Sequence, residues 1–171
     1  AAADVISAYT GGSYVQHTEK DETSRNRWGT GDARINSIEL LNTVDEQVQV
    51  IDSSAPVKLR FQISAHTRLE SPILRAQITR LNGDVIWATS TQRGTNTMRV
   101  LDGAATATLN IDSIQLLEGT YYVSAAITDS TGSTEFDHCQ NWLRFNVHKT
   151  NMFDDGIVAI NSTWNLERHH K

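Results

Sequence analysis

The stretch "VKLRFQISAH", Val57 to His66, alternates without a break. Val57, Leu59, Phe61, Ile63 and Ala65 fall on one side, and Lys58, Arg60, Gln62, Ser64 and His66 on the other. A period of two belongs to a β-strand with one face in a core and the other in water, whereas a helix would need apolar residues about 3.6 apart. The same spacing holds through most of the chain from Ala33 onward. "PILRAQITRLNGDVIWATST" carries it on both sides of Asn82-Gly83, a hairpin signal because both residues tolerate positive φ. With Asn82 and Gly83 as the loop, Leu81 faces Asp84 and Ile78 faces Trp87. Ile78 and Trp87 then share the core face, and Arg75, Gln77, Ala88 and Ser90 share the other.

"ATATLNID", "TYYVSAAITD" and "NWLRFNVHK" supply three more strands and "GIVAINSTWNLE" a last one, with turn chemistry at "LEG" before Thr120 and at "DSTGST" from Asp129. About eight short strands and no amphipathic helix predict an all-β fold, either an antiparallel two-sheet sandwich or a closed barrel. Unequal strand lengths and scarce proline favour the sandwich. Its expected core is Phe61, Ile63, Ile78, Trp87, Leu109, Ile111, Tyr121, Val123, Ile127, Phe145 and Val147.

A chain of 171 residues suits one domain plus a tail. Residues 1–28 are poor in large aliphatics and end in the charge-dense "HTEKDETSRNR", which predicts a linker, with a short helix at Ala2 to Tyr9. The folded domain is expected to start near Trp28. The net charge of −5, with dispersed Lys and Arg, lacks the basic footprint that retains a phosphate backbone, so nucleic acid is not an expected partner. The single cysteine, Cys139, has no partner for a disulfide or a CxxC site. It fits a cytosolic protein, as does the lack of a signal-like leader or a run of about twenty apolar residues.

Motifs that would carry catalysis are missing from the sequence. "RWGTGDARI" opens like a phosphate loop, but no lysine or helix follows Gly29 and Gly31. The glycines read as a flexible chain entrance, with Asp32 or Arg34 tying the turn. No GxSxG elbow is present. His66, His138 and His148 lack a zinc-ligand spacing and are expected to be solvated, and "FDDG" at Phe153 to Gly156 reads as a turn rather than a calcium loop. Neither a metal nor a cofactor is expected.

What remains is a polar strand face set with aromatics. On the hairpin it holds Arg75, Gln77 and Ser90. Tyr122, Ser124 and Thr128 belong to the next strand, and Trp142, Arg144 and Asn146 to "NWLRFNVHK". Sugars need this mixture, because C–H faces stack on rings while hydroxyls take directional bonds. A solvated sheet face is also polar by default, so the alternation leaves both readings open.

Taken in order, "WGTGDARINSIELLN", "PVKLRFQISA", "PILRAQITRLNGDVIWATST", "LLEGTYYVSAAI", "WLRFNV" and "GIVAINSTW" resemble the C-terminal domain of Wzt-type proteins, the ATP-binding subunits of ABC transporters that export O-antigen polysaccharides. The resemblance runs from Trp28 to Trp164. It implies an immunoglobulin-like, jelly-roll-related sandwich acting as a non-catalytic carbohydrate-binding module. Such a module reads the non-reducing terminus of the glycan, often a chain-terminating modification, and couples chain completion to export. The chain has no Walker motif, so it would be the binding module alone, with residues 1–28 a linker from an absent ATPase domain and 29–171 the sandwich. Its place would be cytoplasmic, at the inner face of the bacterial inner membrane through the transmembrane transporter subunit.

The resemblance also implies a homodimer, in which the segment "GIVAINSTWNLE", apolar on both faces at Ile157 to Ile160, could cross to the partner or close its own sandwich. It transfers no binding residues. Strand alternation alone nominates Arg75, Gln77, Ser90, Tyr122, Ser124, Trp142 and Arg144. Arg75 and Arg144 would hold an anionic terminal group, and Trp142 and Tyr122 would stack. If the opposite sheet binds, Arg60, Gln62 and His66 replace them. The competing expectations are a structural or dimerisation sandwich without a glycan ligand and a glycan-modifying enzyme on a jelly-roll scaffold.

Overall fold

The computed structural model describes residues 26–93, 97–148, 155–160 and 162–166. The short helix expected at Ala2 to Tyr9 and the Phe153-Asp154 half of "FDDG" lie outside them. Nine strands are present among the described residues: β1 Arg27–Trp28, β2 Ala33–Leu41, β3 Val50–Asp52, β4 Val57–Glu70, β5 Ile73–Thr79, β6 Val85–Ser90, β7 Val100–Ile111, β8 Gly119–Thr128 and β9 Glu135–His148. The fold is all-β, as expected, with one strand more than the eight read from the alternation.

The strands form two sheets. The larger has six strands in the order β1-β9-β8-β5-β6, with β3 also pairing to β9, and the smaller has three in the order β2-β4-β7. All pairings are antiparallel except the short β3–β9 contact, which is parallel. The two inner faces meet as a sandwich. β4 contributes Val57, Leu59, Phe61, Ile63 and Ala65, all buried, in the alternation its sequence spells out. β8 and β9 oppose them with Tyr121, Val123, Ile127, Phe145 and Val147. Of the expected core, Trp87, Leu109 and Ile111 are only partly buried, because they lie on or beside β6 and β7, the unpaired edges of the two sheets. Tyr121 stays in the core by donating its hydroxyl to the carbonyl of Leu117 at 2.8 Å.

Two local expectations change. The hairpin loop has three residues, not two. Arg80 and Asp84 close it, Gly83 takes φ +88°, and a bulge between Ile78 and Thr79 restores the predicted Ile78–Trp87 pairing. Leu81 therefore sits in the loop and does not face Asp84. The segment from Ile157 is not a strand of its own sheet either. Among the described residues its backbone pairs with the domain only around the Leu116–Val158 bridge and Ile157 packs against the core, while Ile160, Trp164 and Leu166 are exposed.

The opening glycines serve close approach rather than looseness. Gly29, at φ +136°, lies so near β9 that an added Cβ would stand 2.5 Å from the Phe136 carbonyl oxygen. Gly31 donates its amide to that same carbonyl at 2.8 Å. Cys139 is buried and free, and its thiol pKa is pushed up to about 12, chiefly by burial and then by the Asp137 carboxylate.

Candidate functional site

The registers of the larger sheet line up a row of outward-facing residues across five strands: Ser90 on β6, Arg75 on β5, Ala126 on β8, His138 on β9 and Trp28 on β1. A parallel row carries Ala88, Gln77 and Ser124, and another Thr79, Tyr122 and Arg144. Six of the seven residues nominated by alternation thus lie on one outer face. Their side chains are not equally free.

Arg75 and Arg144 are exposed, and Gln77, Ser90 and Tyr122 are half-buried. Among the described residues, the side chains of these five make no hydrogen bond or ion pair, so their polar groups point to water. Ser124 differs. It is 1% exposed, shares a 3.1 Å hydrogen bond with the Thr79 hydroxyl, and accepts from the Asn141 amide at 2.8 Å. Thr128, also expected outward, is buried too, with its hydroxyl on the Asp129 carbonyl.

The cause lies in β9. Between the Val123–Leu143 and Ala125–Cys139 pairs, β8 advances two residues while β9 covers four. The excess bulges around Asn141, at φ +51°. Its side chain accepts from Thr79 at 2.7 Å and donates to the Leu81 carbonyl at 3.1 Å, so the bulge and the hairpin loop together cover Ser124. Trp142 departs from the expected face for the same reason. It is half-buried against the core, with its ring 5.2 Å from the Arg27 guanidinium, and it does not stand beside Arg144.

Three residues not nominated from sequence stand on this face. Trp28, 45% exposed, stacks on His138 with ring centroids 3.9 Å apart and planes at 23°. Its Nε1 donates to Glu135 at 2.6 Å, and the other carboxylate oxygen of Glu135 lies 3.0 Å from His138 Nδ1. His138 is therefore a packed ring, not the solvated histidine expected. Partial burial works to raise the Glu135 pKa. Its bonds to His138 and Trp28, with the His138 and Arg75 charges, outweigh that and hold the carboxyl below its usual range. A two-residue strand has no period to read, so only the adjacency of an aromatic to the glycines could have drawn attention to Trp28.

Behind Trp28, Arg27 points between the sheets. Its Nε and Nη2 reach the two oxygens of Asp137 at 2.8 and 2.6 Å, and Nη2 also donates to the Ile35 carbonyl on β2. Asp137, fully buried, takes a further bond from the Ile35 amide at 2.7 Å. The outer face of the smaller sheet contrasts with that of the larger. There Thr106 bonds Gln62, Asn36 bonds Ser64, and Lys58 and Arg60 pair with Asp45 and Glu39. Two of the three alternative binding residues, Arg60 and Gln62, are thus engaged within their own sheet, while His66 is exposed. No cluster of His, Cys, Asp and Glu fit to hold a metal occurs among the described residues.

The sequence profile of the Wzt C-terminal domain matches residues 24–160. The chain belongs to the Wzt C-terminal domain family. A crystal structure of the C-terminal domain of Wzt superposes with a TM-score of 0.73 at 17% identity, covering 82% of this chain and 87% of that one. An immunoglobulin-like protein from Pseudomonas aeruginosa aligns at 12% identity and a TM-score of 0.37, over 70% of this chain and 98% of that one. A search of curated proteins returned no match. The two-sheet fold of this Wzt C-terminal domain is thus shared with a solved member despite low identity, and among the described residues no helix is long and apolar enough to cross a membrane.

Proposed function

We propose that this Wzt C-terminal domain is a non-catalytic carbohydrate-binding module. On this reading it recognises the non-reducing terminus of a bacterial O-antigen polysaccharide and couples completion of that chain to export by an ABC transporter. Family membership supports the transporter context, and on this reading residues 1–28 link the module to an ATPase domain at the inner face of the membrane. The observation that carries the reading is the asymmetry of the two outer faces. On the smaller sheet Lys58, Arg60 and Gln62 are paired within the domain, leaving Thr108, Asn110 and His66 open, whereas on the larger sheet both arginines, Arg75 and Arg144, with Gln77, Ser90 and Tyr122, face water beside an exposed tryptophan. Hydroxyl-rich ligands bind where donors and acceptors are unclaimed and an aromatic surface is at hand. Two unpaired guanidinium groups favour a terminus bearing a carboxylate or phosphate.

The test is calorimetric titration of the purified domain with the intact O-polysaccharide of the bacterium that encodes it, and with the same polymer stripped of its non-reducing terminal group. Binding to the intact polymer alone is expected. Equal binding to both would remove terminus recognition, and binding to neither would remove the carbohydrate reading.

The domain is also proposed to act as a homodimer through exchange of the segment 157–166. Val158, Ile160, Trp164 and Leu166 recur at even spacing and are 46, 76, 100 and 83% exposed, a strand-like apolar face without a sheet to cover it. The open seam between β6 and β7 offers such cover. Cavities of about 310 and 340 Å³ lie along it, the second lined by Ile78, Trp87, Leu116 and Val158. β7 from Gly103 to Ile111 carries no charge, the kind of edge that accepts a strand from another chain. Light scattering of the intact chain against one ending at Gly156 should show a dimer becoming a monomer, and an unchanged mass would rule out exchange.

A further inference from the structure

We propose that the Trp28 indole is the surface on which a sugar ring of the glycan stacks, and that the Arg27–Asp137 pair on the other side of β1 positions it. The proposal rests on the carbohydrate-binding reading and adds the residue that carries the contact and the device that seats it.

Trp28 is the largest exposed apolar side chain on a mostly polar face. Its orientation is fixed twice, by the Glu135 bond at its Nε1 and by the His138 ring against its face. Both Glu135 oxygens are engaged in this, so the carboxylate acts as a brace and is not free to meet ligand. A ring held before the ligand arrives loses little further rotamer freedom on binding, which is what a shallow site requires. From Trp28 the row continues over His138 and the small Ala126 to Arg75 and Ser90. Three inter-strand steps of about 4.8 Å give roughly 14 Å between Trp28 and Arg75, more than one sugar ring covers. The ligand is therefore the end of an oligosaccharide, with a ring on Trp28 and hydroxyl or acidic groups toward Arg75.

β1 is only two residues long, and little else seats it. Gln140 donates to the Asn26 carbonyl at 2.8 Å, Thr30 to Glu135 at 3.1 Å, and Gly31 to Phe136 at 2.8 Å. Beyond its pairing with β9 and the Trp28 contacts on the outer face, the anchor that reaches the interior is the forked pair of Arg27 with buried Asp137, with the Arg27 bond to the Ile35 carbonyl beside it. Adjacent strand residues face opposite ways, so the group that grips the interior and the group that meets the ligand share one backbone step. A ligand that needs Trp28 in place binds the seated β1 better than the released one and must, by linkage, stabilise the seat.

The experiment uses the intact polysaccharide with Trp28→Ala, Trp28→Phe and Arg27→Lys, each first checked for an unchanged far-UV spectrum. Calorimetry should show at least a tenfold loss of affinity for Trp28→Ala and a smaller one for Trp28→Phe. Arg27→Lys touches no ligand but loses the fork. Its Thr30 and Gly31 amides should exchange faster than wild type, and saturating polysaccharide should restore their protection. A merely structural role for Arg27 predicts no such restoration. If wild type binds and Trp28→Ala binds within twofold of it, or if protection is not restored, this proposal fails while the carbohydrate reading stands. If wild type itself binds nothing, both fail together.

Discussion

Replacing Asp137 by alanine should be among the most damaging single changes outside the aliphatic core. The carboxylate is fully buried and accepts three short bonds, from Arg27 Nε, Arg27 Nη2 and the Ile35 amide at 2.8, 2.6 and 2.7 Å. Truncation would orphan the Ile35 amide, in a residue with no exposure, at about 1–3 kcal/mol. It would also strip the partner from a guanidinium whose side chain is 22% exposed. Removing one member of a buried pair costs about 3–5 kcal/mol, but this cation can turn partly toward water, so the expected total is about 2–4 kcal/mol. At roughly 2–4 °C per kcal/mol for a chain of this size, the melting temperature should fall by about 4–16 °C. Urea unfolding with linear extrapolation measures it, with the slope unchanged if the folded state stays compact. Arg27→Ala, alone and with Asp137→Ala, completes a double-mutant cycle that isolates the pair, and the coupling should exceed about 1 kcal/mol. A loss below about 0.5 kcal/mol for Asp137→Ala, or a coupling indistinguishable from zero, would show that the pair is not what holds β1 to the sandwich.

The other expectations concern the same face and its supports. Ser124→Ala should cost about 1–2 kcal/mol in urea unfolding, because it breaks the buried contact with Thr79 and Asn141, while leaving polysaccharide affinity unchanged; a binding loss without a stability loss would return Ser124 to the site. Gly29→Ala should destabilise by about 2 kcal/mol, since its Cβ would strike the Phe136 backbone. Gly132→Ala, at φ +74° with open space around it, should cost only about 1 kcal/mol, and equal losses would refute the close-approach argument. Glu135 titrates below its ordinary 4.5, so the stability it lends the Trp28–His138 cluster is complete above that value and is lost as pH falls through the lower folded-state value. The emission difference between wild type and Trp28→Phe should therefore change under acid, below the ordinary glutamate value, and the absence of any change there would contradict the sign.

How much was legible depended on whether a strand keeps one rule along its length. β4 does from Val57 to Ala65, before its own bulge against β7, so its core face there could be read residue by residue, and the hairpin register at Ile78–Trp87 survived even though the loop is one residue longer than its Asn-Gly suggested. β9 does not. Its alternation promised Trp142 beside Arg144, but the two extra residues around Asn141 turn Trp142 against the core and bury Ser124 under the bulge. A bulge of this kind is set by the opposing strand and the hairpin loop above it, contacts far apart in sequence, and a period-two template has no term for them. β1 was illegible for the opposite reason, being too short to have a pattern at all.

The same limit explains the C-terminal segment. Alternation at Val158, Ile160, Trp164 and Leu166 registers a strand, yet among the described residues backbone pairing is confined to the bridge at Val158 and its neighbours Ile157 and Ala159, and Ile160, Trp164 and Leu166 are exposed. A strand pattern states that a face must be covered, not which molecule covers it. The site and the seam meet only at Ser90, which ends the row and lines the first seam cavity. Trp28 stands on β1 at one edge of the larger sheet, while the uncovered β6–β7 seam is at the other. A partner strand docking at β6 and β7 would leave the row from Trp28 to Arg75 open, so one molecule could be dimeric and bind glycan at once. Occlusion of the row on dimerisation would have set the two proposals against each other, and the strand order removes that conflict.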